Sequence, residues 1–169
     1  MKGSVLIMFI IQKFSRKKYS LIVISFLICT LFIISITLGQ KAKSQAMCSS
    51  IGEYSLKAET IEEQILFLEQ FGWKVEKKPI EEQKIIIPQD FNKVYENYNN
   101  IQKNQGLNLE KHKGKECSSI RYEVKNYPKE KINVVANLII YKGKVIAGDI
   151  SKVTLDGFMH GFEYEKIVK

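Results

Sequence analysis

The sequence predicts an α+β domain: two helices packed on one face of a mainly antiparallel sheet with a C-terminal three-stranded meander, set behind a membrane-spanning helix. Three observations predict it. Apolar residues recur at helical spacing between positions 60 and 106, alternate with polar ones between 120 and 155, and fill positions 19–38 without a charge.

Residues 19–38 hold no Asp, Glu, Lys or Arg over 20 positions. At ~1.5 Å of rise per residue, a helix of that length matches the ~30 Å hydrocarbon core of a bilayer. Lys13, Arg16, Lys17 and Lys18 precede it, and only Lys41 and Lys43 follow closely. That asymmetry predicts a single-pass anchor with the N-terminus cytoplasmic and the C-terminal domain outside. The expected divisions are a basic cytoplasmic N-terminus (1–18), the transmembrane helix (19–38), a juxtamembrane stalk (39–57) and an extracytoplasmic domain (58–169). Ser44-Gln45-Ala46 also offers the small residues that a signal peptidase reads, so release after Ala46 is the alternative. An apolar core longer than the ~7–15 residues of a signal peptide favours the anchor.

The chain carries 26 basic and 18 acidic residues, a net charge of +8. Five of the basic residues and none of the acidic ones precede position 39, which leaves 21 against 18 beyond it. The basicity is therefore mostly a topology signal, and nucleic acid is not an expected partner.

Within the domain, Thr60 and Glu63 form a capping-box pattern that starts the first helix. Ile61, Ile65, Phe67, Leu68 and Phe71 make its apolar stripe, and Gly72 ends it. Trp73 and Val75 begin an extended segment, and a second runs from Lys84 to Ile87 before Pro88. Asp90 is the expected cap of the second helix, whose face is Phe91, Val94, Tyr95, Tyr98 and Ile101 and whose end is Gly106. Ile120, Tyr122 and Val124 then alternate with Arg121, Glu123 and Lys125 as a half-buried strand. Val134, Ala136, Leu138 and Ile140 line the next strand, and Lys142-Gly143 makes the hairpin turn. The return strand begins at Val145, with Gly148 the expected bulge because apolar parity shifts between Ile150 and Val153.

These segments also carry a resemblance. FLEQFGWKVE (67–76), IPQDFNKVYENYNNIQKNQGLNL (87–109), KNYP (125–128), ANLIIYKGKVIAGDI (136–150) and LDGFMHGF (155–162) resemble domain-of-unknown-function family 4830. The resemblance implies a small extracytoplasmic domain of Gram-positive bacteria behind one membrane helix, and it brings no catalytic residues.

The polar cluster with most chemical reach is Asp149, Asp156 and His160. Two carboxylates and an imidazole suit a divalent metal or an acid–base pair, and so a small metal-dependent hydrolase. The same residues suit a turn, with Asp156 capping it beside Gly157 and His160 bonded to backbone. Trp73, Tyr95 and Tyr141 are candidates for an aromatic surface, although their spacing also fits a core. Cys48 and Cys117 both fall outside the membrane, where a disulfide persists; Cys29 lies within the span. No zinc spacing, phosphate loop, dinucleotide glycine pattern or nucleophile elbow is present, so no metal, cofactor or catalytic set is assigned. The expected function is a non-catalytic binding or interaction module that meets an extracytoplasmic protein, a peptide or a cell-wall polymer, with the hydrolase as the alternative.

Overall fold

The computed structural model describes residues 24–35, 45–48 (backbone only), 52–128, 133–154 and 157–163. The chain divides into two compact units, Met1–Lys43 and Ser44–Lys169. In the first, residues 24–35 form a helix (α1) whose Phe26, Leu31 and Phe32 are 73%, 61% and 67% exposed. Residues 19–23 and 36–38 of the expected span lie outside the described residues, among which no helix is long and apolar enough to cross a membrane.

The second unit begins earlier than the sequence predicts. Strands β1 (Gln45–Cys48) and β2 (Gly52–Ser55) pair antiparallel, so part of the expected stalk is a hairpin. Tyr54 is buried and its hydroxyl donates to the Gln105 carbonyl at 2.6 Å. Leu56 and Ala58 run on beside the sheet, with Val145 N–H donating to the Leu56 carbonyl and Ala58 N–H to that of Gly143. An aromatic residue in a Gly/Ser/Lys-rich stretch was the available sign of this packing.

Helix α2 (Ile61–Glu69) starts where the capping box places it. Thr60 Oγ1 accepts from Glu63 N–H at 3.3 Å, and Glu63 Oε2 reaches back to Glu59 N–H at 2.8 Å. Helix α3 (Lys93–Asn104) is capped by Asn92, not Asp90: Asn92 Oδ1 accepts from the amides of Val94 and Tyr95, both at 3.1 Å. Either residue type suits a cap, and the choice shifts the start by two positions. A 3-10 turn (Leu109–His112) follows.

The sheet has five antiparallel strands in sequence order: β3 (Glu81–Ile86), β4 (Glu116–Glu123), β5 (Val134–Tyr141), β6 (Lys144–Lys152) and β7 (Met159–His160). Strands β4 to β6 are the expected meander. Lys142 and Gly143 both take positive φ, 50° and 70°, as a type I′ hairpin turn requires. The register shift lies between Ile139 and Ile140, opposite Val145–Ala147, and not at Gly148. Gly148 is needed for a different reason. A Cβ there would stand 2.4 Å from the Phe162 ring and 2.3 Å from the Asn137 carbonyl oxygen.

The two helices take opposite faces of the sheet, which corrects the expectation of one. Side chains alternate along a strand. Ile120, Tyr122, Ala136, Leu138 and Ile150 therefore pack with Phe67 and Leu68 of α2. Cys117, Ile139 and Tyr141 point the other way and pack with Tyr95 and Tyr98 of α3. Residues 145–151 of β6 are accordingly all buried, a pattern of strands covered on both faces.

Replacing Gly148 by Ala forces the sheet or the Phe162 ring to move. The expected cost is ~1–3 kcal/mol, read as a lower urea midpoint in unfolding followed by emission of Trp73, the chain's one tryptophan.

Candidate functional site

Strand β7 decides the fate of the Asp149–Asp156–His160 cluster. His160 pairs with Ile150, so its ring lies on the α2 face, while Asp149, one residue earlier on β6, points to the α3 face. The ring joins Trp73, Tyr127 and Phe158, with Tyr127 stacked between Trp73 and Phe158 at centroid distances of 5.8 and 4.8 Å. His160 Nδ1 is 2.6 Å from the Gly161 carbonyl, which can only accept. The proton therefore sits on Nδ1, and Nε2 accepts from Tyr127 Oη at 3.2 Å. Both ring nitrogens are committed to the fold. Asp156 lies outside the described residues, among which no three His, Cys, Asp or Glu side chains are grouped to hold a metal. Asp149 and His160 thus do not converge as an acid–base pair.

The three aromatics also separate. Trp73 is wholly buried on the α2 face, its Nε1–H donating to the Phe162 carbonyl at 2.7 Å. Tyr95 and Tyr141 belong to the α3 face, Tyr141 standing edge-on to His112 at 5.4 Å. No shared platform forms. Cys117 is a buried free thiol, its pKa raised by burial, and it forms no disulfide with Cys48, the less favoured of the two readings; the Cys48 side chain lies outside the described residues.

What the α3 face does bring together is a polar row across the strands. Glu81, Arg121, Asn137 and Asp149 occupy consecutive partner positions on β3 to β6. Arg121 Nη1 donates to Glu81 at 2.6 Å and its Nε to Asn137 Oδ1 at 3.0 Å. Asn137 Nδ2 donates to Asp149 at 2.8 Å and to Ser151 Oγ at 3.0 Å. The Tyr98 hydroxyl of α3 closes the row on Asp149 at 3.0 Å.

Beside this row opens a cleft of about 520 Å³. Val94, Tyr95, Tyr98 and Ile101 of α3 form one wall, Ile85 and Ile87 the other, with Ile139 as floor and Met159 at one end. The lining is apolar except for Asn97 and the tyrosine hydroxyls, and Tyr98 spends its hydroxyl on Asp149. Sequence reasoning placed Tyr98 on the face of the second helix and Arg121 on the polar side of a strand, and joined neither to Asp149. The sign of the row was Arg121 and Asn137 at alternating positions of neighbouring strands, where polar residues meet cross-strand.

Residues 67–150 match the family described as Domain of unknown function (DUF4830). Over that span, the chain belongs to this family. The match holds Arg121, Asn137, Asp149 and most of the cleft, and it stops before Met159 and His160 of β7. No curated protein and no solved structure matches the chain.

Burial, first of all, raises the Asp149 pKa in the DUF4830 domain, against hydrogen bonds from Asn137, Tyr98 and Ser151 that lower it. Burial and the Asp149 charge push the Tyr98 phenol well above its ordinary range, so it stays a donor. Burial also lowers the pKa of His160. The two groups pull stability in opposite directions. A raised carboxyl stabilises fully below its free pKa of 3.8 and loses that contribution as pH rises through the folded value. A lowered imidazole stabilises above 6.5 and loses that contribution as pH falls through its folded value. Thermal melts from pH 7 to 5 should therefore decline less steeply in His160→Asn than in the parent, whereas Asp149→Asn should gain on the parent as pH rises from 4 to 7.

Proposed function

We propose that this chain is a non-catalytic binding module, anchored by residues 19–38 with the Ser44–Lys169 unit on the outer side of the membrane, and that its ligand site is the apolar cleft between α3 and the sheet. The cleft carries the reading. Its volume of about 520 Å³ falls within the ~300–1,000 Å³ of small-ligand sites, and such sites are concave, mostly apolar and furnished with a few polar groups. Here Asn97 and the tyrosines are the polar residues of the lining, and beside it runs the Arg121–Asn137–Asp149 row. Each of its members is hydrogen-bonded to a neighbour, which suits orientation of a ligand better than proton transfer to one. The exposed apolar surface of residues 24–35 and the basic flank before position 19 support the anchor and its direction.

The full-length chain in phosphatidylcholine nanodiscs should enhance anilinonaphthalene sulfonate fluorescence above that of empty discs. Val94→Trp, at a position 73% exposed on the cleft rim, should remove at least half of the excess without altering the fold. Equal fluorescence from parent and variant rejects the cleft as the site. Protease added to intact cells should digest the Ser44–Lys169 unit; digestion only after lysis reverses the orientation.

A further inference from the structure

We infer that the outer edge of β3 is a self-association surface. Two copies of this chain pair antiparallel along residues 80–86, about a twofold axis through Gln83, and join the five-stranded sheet of one copy to that of the other.

Strand β3 ends the sheet on one side, and among the described residues no strand pairs with its outer edge. The ladder fixes which peptide groups face that edge. Val124 N–H donates to the Val134 carbonyl, and Ile87 N–H to that of Lys115. In an antiparallel ladder a residue turns both its groups to one neighbouring strand, and the next residue turns both to the other. Even-numbered residues of β4 therefore bond to β5, and its odd-numbered residues bond to the odd-numbered ones of β3. Glu82, Lys84 and Ile86 are left with N–H and C=O pointing out of the sheet, a template for another strand. Pro79 and Pro88 lie beyond the two ends of this run, where a missing N–H stops a ladder.

Charge selects the occupant and its register. A second copy reaches the open groups only where even-numbered residues stand opposite even-numbered ones. An axis through Gln83 sets Glu82 opposite Lys84 of the second copy, and Lys84 opposite its Glu82. Moving the axis one residue either way sets Lys84 against Lys84 or Glu82 against Glu82. Opposite charges across a strand pair stabilise it and like charges destabilise it, so the neighbouring registers are refused. Ile80 and Ile86 share the face of Glu82 and Lys84 and are 55% and 69% exposed. The same axis brings Ile80 opposite Ile86, so an apolar pair flanks each ion pair. Ile80 contributes its side chain alone on the donor side, because its N–H is spent on the Arg121 carbonyl. Lys84 is 2.9 Å from Glu116 of its own copy, but its side chain is 76% exposed and its ammonium has three donors to share. On the opposite face Gln83 meets its own counterpart, and Glu81, held by Arg121 at 2.6 Å, lies beside Ile85. The run Ile-Glu-Glu-Gln-Lys-Ile-Ile is thus complementary to itself, as a twofold interface requires.

The test uses the full-length chain in phosphatidylcholine liposomes, with Cys29 and Cys48 replaced by Ser so that buried Cys117 is the only native thiol. Gln83→Cys should give a disulfide-linked dimer on mild oxidation. Residues facing each other at such a position are about 4.5 Å apart between Cα atoms, within disulfide reach. Glu82→Cys and Lys84→Cys, each diagonal to its counterpart, should link at least tenfold more slowly. Adding Glu82→Lys or Lys84→Glu to Gln83→Cys should slow linkage at least tenfold. An equimolar mixture of those two variants should restore it, because the mixed pair again sets opposite charges together at both positions. Trp73 emission confirms that each variant is folded. Linkage equal at positions 82, 83 and 84, linkage indifferent to Glu82→Lys, a mixture no faster than either variant alone, or no linkage at all each overturns the assignment.

Discussion

The peptide group of Gly148 is the point on which the Ser44–Lys169 unit is assembled. Strand β6 is paired with β7 at only Ile150 and Ser151, so the outward N–H and C=O of Gly148 have no strand beside them. Two side-chain amides, one from α3 and one from its C-cap, take that place. Gln102 Oε1 accepts from Gly148 N–H at 2.9 Å, and Gln105 Nε2 donates to the Gly148 carbonyl at 3.1 Å. Gln105 Oε1 then accepts from Phe162 N–H, and its backbone carbonyl accepts from Tyr54. A buried peptide group left unpaired costs ~1–3 kcal/mol, and here the satisfaction of one group draws in α3, β2 and the segment after β7 together.

The missing side chain matters as much as the peptide. The Phe162 ring lies against Gly148, and from there it packs on Phe67 and Phe71 at 5.2 and 5.1 Å, reaching α2. Trp73 Nε1 holds the Phe162 carbonyl. One residue without a Cβ thus lets an aromatic core on the α2 face meet an amide clamp from α3 at the sheet edge. Because Asp149 is the next residue, the same clamp sets where the Tyr98–Asp149 bond forms, and with it how far α3 stands from Ile139. The width of the cleft is a consequence of how the edge of β6 is closed.

How much of this was legible follows from the range of the interactions. Local signals read well: the Thr60–Glu63 box, the Lys142-Gly143 turn and the β4–β6 alternation each depend on neighbours in sequence. The placement of both helices on one face was misread, although the sequence held a sign against it. Residues 145–150 (VIAGDI) and the Val134, Val135, Ala136 run are nearly unbroken in burial, as strands covered on both sides are. Gln102 and Gln105 had no place in the sequence reading, although both follow Tyr95 and Tyr98 at helical spacing. Their partner, a peptide over 40 residues away, has no local signal. The separation of Asp149 from His160 had the same origin: their faces are fixed by a two-residue strand too short to show a period.

The polar row bears on function through what it withholds. A general base needs a free lone pair aimed at a substrate and a pKa near the working pH. Asp149 accepts from Tyr98 and Asn137 on its two oxygens, and it is only 2% exposed. Tyr98, with its raised pKa, has no proton to release, and both nitrogens of His160 are occupied on the far face. Asp149, Tyr98 and His160 are each held by another part of the fold, and the Tyr98–Asp149 bond fixes the position of α3. Arg121 differs, because a guanidinium has donors to spare after two bonds are made and cannot lose its charge. Its charge is nonetheless answered by Glu81 at 2.6 Å, so the row acts as a tie across β3 to β6.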